Sequence, residues 1–160
     1  MAWLFPWLLF LHVLGAIVAF GPTFSFSLIG AMGGAELQHA NFATRITHAL
    51  TTKRVLPIGI TLPITGLAMI AVVGINPLER THWWLALGIL LYIITYGYGF
   101  FVQRKVVARV VELTSAPPPP GASGPPPELM ALVHRIQRGG AAMGILIVTI
   151  VLLMVVKPMV

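Results

Sequence analysis

The chain has no cysteine, no aspartate and only four acidic residues among 160. Without thiols, disulfides, thiolate metal sites and cysteine-based catalysis are all excluded. Charged residues make up 9% of the sequence, against about 25% in a soluble globular domain. From Met1 to Ala35 there is no Asp, Glu, Lys or Arg. The four glutamates, Glu36, Glu79, Glu112 and Glu128, fall between apolar runs or on their flanks. Ion pumps and proton-coupled transporters ordinarily carry a chain of charges inside their spans, so that class is disfavoured. Neither a Ser/His/Asp set nor a carboxylate pair suited to acid–base hydrolysis is visible. A cleavable signal peptide is not expected either, because a basic n-region is missing and the first apolar run is too long.

What fills the chain instead is apolar: 58% hydrophobic residues and a mean hydropathy of +0.93. A hydrocarbon core of about 30 Å takes roughly 20 helical residues. Four runs come near that length, at about 3–29, 55–75, 82–103 and 141–156. They predict an all-α integral membrane protein, a single four-span domain over 1–160 folded as an antiparallel bundle of four transmembrane helices. Gly21-Pro22 should kink the first span, and Pro57 and Pro63 should bend the second, freeing carbonyls that a neighbour or water must satisfy. Phe42, Ile46 and Leu50 recur every four residues and predict a short interfacial helix before span two. Span three should continue helically through Arg104 to Leu113. Residues 115–127, SAPPPPGASGPPP, read as an extended polyproline linker. Glu128 then opens an amphipathic segment that leads through Gly139-Gly140 into span four.

Charge placement sets the expected orientation. Arg45, Lys53, Arg54, Arg104, Lys105, Arg109, Arg135 and Arg138 lie in two long connections, while the other side has Arg80 and Lys157. The positive-inside rule predicts N-out and C-out, with both long connections cytoplasmic. Trp3, Trp7, Trp83 and Trp84 fall at the opposite interface as an aromatic belt. The net charge of +6 flanks apolar spans and makes no patch with aromatic stackers, so the expected partner is the lipid bilayer and not nucleic acid. A multi-pass membrane protein fits this pattern.

One ionisable group interrupts the first span. His12 lies nine residues from Trp3, about 13 Å down the helix axis and close to the midplane. Such groups are costly there and are functional candidates by default. A packing histidine, a haem or metal ligand and a proton or substrate contact are the open readings. At similar depth lie Thr61 and Thr65 of span two, Tyr92, Thr95 and Tyr96 of span three, and Thr149 of span four. They form a candidate polar layer around His12. Gly15 with Ala19, Gly59 with Gly66, and Gly140 with Gly144 are candidate helix-packing positions.

Other candidate ligands are sparse. His39, His48 and His134 should sit at the cytoplasmic surface, where His48 and His134 would meet headgroups, and His82 at the outer one. A two-histidine haem from one chain therefore lacks its second imidazole, which leaves Met69, Met143 or a ligand from another subunit. Met130, Met143, Met154 and Met159 have no tight copper-type spacing. A permease would require a polar path from His12 to both surfaces, and none is seen.

The opening LHVLGAIVAFGP, the segment LPITGLAM and the ending LLMVVKP resemble an uncharacterised bacterial family of four-span integral membrane proteins. The histidine motif of the first span also resembles the copper-resistance D proteins and the membrane-bound, haem-linked protoporphyrinogen oxidase type. That second resemblance implies a haem or porphyrin contact at His12. It also implies an intramembrane lysine, which this chain does not have. The expected function is a non-catalytic accessory subunit of a larger energy-transducing or redox membrane complex. The alternative is a b-type haem or porphyrin protein using His12.

Overall fold

A computed structural model describes residues 2–115 and 124–158. The polyproline expectation at 115–127 lies mostly outside them, and Met159 lies outside them too. The described chain is all-α, and four of its helices are long and apolar enough to cross a membrane. We number these α1, Phe5–Ala35; α2, Ala40–Val73; α3, Arg80–Leu113; and α4, Pro127–Val156.

Helix α1 follows one 3-10 turn, Ala2–Leu4, and accepts Pro6 in its first turn, where a missing N–H costs nothing. It runs through Pro22 without a break and ends six residues later than the 29 read from the sequence. Nothing in GAMGGA stops it before Glu36. Gly33 buries its backbone there against the start of α2, and a Cβ on it would stand 2.7 Å from that of Ala43.

The expected interfacial helix and second span are one continuous element. The α-helical stretch Ala40–Leu50 passes through a wide π turn, Thr51–Val55, into Leu56–Gly59 and then Thr61–Val73. The π turn has an identifiable cause. Pro57 has no N–H to donate to the Lys53 carbonyl, and the Leu56 N–H reaches back to the Thr51 carbonyl instead. Helix α2 closes on Gly74, whose φ of +73° is the left-handed C-cap that glycine adopts without strain. In the turn to α3, the Asn76 side chain accepts the Leu78 N–H at 3.1 Å.

Helix α3 likewise contains a π turn, Gly99–Gln103, and then continues to Leu113 as the sequence predicts. In α4 the pair Gly139-Gly140 does not interrupt the helix.

At about 1.5 Å per residue, the 34-residue helices α2 and α3 exceed an apolar core of about 30 Å. Their amphipathic ends, with that of α4, extend the bundle at one pole only. There Val106, Val107 and Val110 are buried, and Asn41 donates to the Val111 carbonyl at 3.1 Å. Arg109 bridges Glu112 and Glu128, both at 3.1 Å, and so links α3 to the first turn of α4. These carboxylates, the Glu112 hydrogen bond first, hold the Arg109 guanidinium above its ordinary value. All three groups are exposed, so removing the link with Glu128→Gln should leave the thermal midpoint within about 1 °C in high salt. At the other pole Trp84, Leu85 and Leu153 are buried together, with Ile70, Ile75 and Met154 packed on them.

Candidate functional site

His12 faces α2. Positions 12, 15 and 19 share one side of α1, and on that side Gly15 and Ala19 are buried. A Cβ on Gly15 would meet Thr61 Oγ1 at 3.1 Å and Leu62 at 3.3 Å. The imidazole lies over Gly66, whose added Cβ would stand 3.4 Å from the ring's Cε1. Its Nδ1 is 2.8 Å from Thr65 Oγ1.

Thr65 Oγ1 also lies 2.8 Å from the Thr61 carbonyl and 3.1 Å from the Leu62 carbonyl. Its hydroxyl can accept from His12 Nδ1–H while donating to one of these carbonyls, or donate to Nδ1 itself. In either arrangement the bond ties the ring to α2 through Nδ1.

Tyr92 and Tyr96 do not reach His12; they hold the proline-interrupted part of α2. Pro63 has no N–H for the Gly59 carbonyl four residues back, and Tyr92 Oη donates to that carbonyl at 2.6 Å. Tyr96 Oη donates to the Leu56 carbonyl at 2.9 Å. The two rings stack with centroids 5.7 Å apart, and Phe20 of α1 meets Tyr92 edge-on at 6.4 Å. Gly59 makes this possible: a Cβ there would lie 2.8 Å from Tyr96 Cε2. Thr95 and Thr149 bond the carbonyls of Leu91 and Ile145 in their own helices. Of the expected layer, Thr65 alone bonds His12.

A second polar set stands between α3 and α4, with no sequence signal beyond a glutamine near an apolar run. Gln103, in the π turn, is buried and donates from Nε2 to the Ile136 carbonyl at 3.0 Å. Its Oε1 is buried without a partner. Gly139 allows the approach, since a Cβ there would lie 2.5 Å from Tyr98 Oη and 2.6 Å from Gln103 Oε1. Gly140 and Gly144, by contrast, have nothing within 4 Å of an added Cβ. Within this chain the close helix approach on α4 is made by Gly139, not by the Gly140–Gly144 pair. Beside Gly139 a groove of about 330 Å³ is lined by Ile94, Tyr98, Arg138, Ala142, Met143 and Leu146. Met143 therefore lies in this groove, against Gly99. Among the described residues, no three histidine or carboxylate groups come together to hold a metal ion.

Residues 6–158 match the family described as predicted integral membrane protein, DUF2269. The chain belongs to this family. The match covers all four long helices of the DUF2269 fold, from the second residue of α1 past the end of α4. No curated protein matches the chain, and no solved structure does.

Proposed function

We propose that this DUF2269 protein is a non-catalytic accessory subunit of a larger membrane assembly of the redox or energy-transducing kind, seated in a bacterial inner membrane with its long connections in the cytoplasm. The observation that carries the reading is the outward backbone of α4 at Gly140 and Gly144, matched on α1 by Gly30 and Gly34, all with open space where a side chain would go. Lipid chains gain nothing from bare backbone, whereas a neighbouring helix can approach closely on small residues. Purification in mild detergent should recover the chain with other membrane proteins in fixed stoichiometry. Gly140→Leu with Gly144→Leu should abolish that association and leave the chain folded. Recovery of the chain alone, or as a simple homodimer, would overturn the reading.

A second reading rests on His12. A haem iron takes the neutral imidazole through one ring nitrogen while the other donates to a supporting acceptor. Thr65 would provide that support when Nδ1 carries the proton. His12 would hold the group, with any other ligand coming from a neighbouring subunit; a bound haem would supply electron transfer. A purified sample should then show a Soret band that His12→Ala removes. Thr65→Val should keep the band and weaken haem affinity about 10–100-fold. A colourless preparation after haem supplementation ends this reading.

A further inference from the structure

We infer that the groove between α3 and α4 seats one anionic phospholipid, with its phosphate on Arg138 and one acyl chain along Ile94, Ala142, Met143 and Leu146. The inference is independent of the roles proposed above. Its basis is the gradient of polarity along the groove. Arg138 is the last charged residue before the apolar run Gly139–Val156, so its guanidinium lies at the boundary between headgroups and hydrocarbon. From there the lining is apolar for two helical turns into the membrane, down to Leu146 on α4 and Ile94 on α3. Only a molecule that is anionic at one end and aliphatic along the rest matches both parts.

Arg138 is the one cation among the residues that line the groove. Arg109 is neutralised by Glu112 and Glu128, and Arg104 lies over the Phe100 ring at 4.5 Å. Arg138 has no carboxylate within 4 Å among the described residues, and its side chain is exposed at the mouth of the groove. Tyr98 adds a hydroxyl with no hydrogen-bond partner among the described residues, at the same end of the groove. Phosphatidylglycerol is such a lipid, anionic at its phosphate and aliphatic along its chains. The bulk of the lipid is held by apolar contact, so inorganic phosphate should not compete.

The test is native mass spectrometry of the full chain released from nanodiscs of equal phosphatidylglycerol and phosphatidylcholine. The wild type should retain phosphatidylglycerol over phosphatidylcholine by about fivefold, the factor that one interfacial arginine supplies. Arg138→Gln should bring the ratio to about one. Arg135→Gln, three residues away and outside the groove lining, should leave it unchanged. Ala142→Leu should fill the groove and lower retention of both lipids together. Far-ultraviolet circular dichroism identifies any variant that unfolds, and Arg138→Lys, which keeps the charge, should hold the ratio above one. Equal retention of the two lipids by the wild type would overturn the proposal. So would Arg135→Gln and Arg138→Gln losing the preference equally, since that marks a general attraction of lipid to a basic surface. Displacement of the bound species by inorganic phosphate would overturn it too.

Discussion

Gly139→Ala should destabilise the protein by about 1–3 kcal/mol, the usual cost of overpacking a close contact, while Gly140→Ala one residue on should be neutral or slightly stabilising. Helix propensity alone favours alanine over glycine by about 1 kcal/mol at either position. Packing reverses the sign at Gly139. Its new Cβ would stand 2.5 Å from Tyr98 Oη and 2.6 Å from Gln103 Oε1, and neither atom moves freely. The Gln103 amide is buried and tied to the Ile136 carbonyl at 3.0 Å, so retreat breaks a hydrogen bond in apolar surroundings. The Tyr98 ring would have to turn bodily, because its Cε1 is also within 3.1 Å. Gly140 has nothing within 4 Å. Adding Tyr98→Phe to Gly139→Ala should recover part of the loss by removing one of the two clashing oxygens. Equilibrium unfolding in mixed micelles, followed by circular dichroism, measures the wild type and the three variants. Equal midpoints for the two alanine variants would show that α3 and α4 do not meet through Gly139.

Tyr92→Phe should cost about 1–3 kcal/mol in the wild type, the penalty of leaving a buried carbonyl unpaired, and clearly less in a Pro63→Ala background. The reasoning is an accounting of one oxygen. The Gly59 carbonyl would ordinarily accept from the N–H of residue 63, but proline has none, and the Tyr92 hydroxyl stands in at 2.6 Å. Alanine at 63 restores the helical donor, after which the tyrosine hydroxyl is no longer required. The double-mutant cycle should therefore show coupling of about 0.5–3 kcal/mol between two residues that do not bond each other directly. Additive effects would mean that the tyrosine works through ring packing on Gly59 and Phe20 instead. Tyr96→Phe is a useful companion, since Tyr96 bonds the Leu56 carbonyl, whose loss of a helical donor does not come from Pro63.

The all-α character and the four apolar helices were legible because hydropathy over some 20 residues reports burial in lipid directly. The freed carbonyl of α2 was legible as well, since a proline inside an apolar helix announces it four residues back. What supplies the missing donor was not, because Tyr92 is 33 positions away and only the packed bundle brings them together. His12 stood out as an isolated ionisable group, and Thr65 was among the residues placed at its depth. Depth alone could not separate Thr65 from Thr95 or Tyr96, because it says nothing about which way a side chain turns around its helix. One helix start was misjudged for a related reason. A hydropathy window stops where polar residues begin, at about 55, and so separated an interfacial helix from span two, yet α2 starts at Ala40 and runs on; the start of α4 at Pro127 was legible from Glu128, which follows the prolines. Backbone hydrogen bonding continues through Arg54 and Arg138 without regard to the solvent outside. The site at Gln103 was missed because a π turn shifts which residues share a face, and an α-helical period does not contain that step.

The extension of the bundle at one pole governs how the chain meets enzymes that cannot cross the bilayer. The 36–39 connection and the chain between Leu113 and Pro127 both leave from that extended end, whereas the opposite pole offers little more than the short reversal at 74–79. In sealed vesicles of uniform sidedness, an added endoprotease would therefore reach both of these connections or neither, and cleavage of just one would mean that a helix had failed to insert.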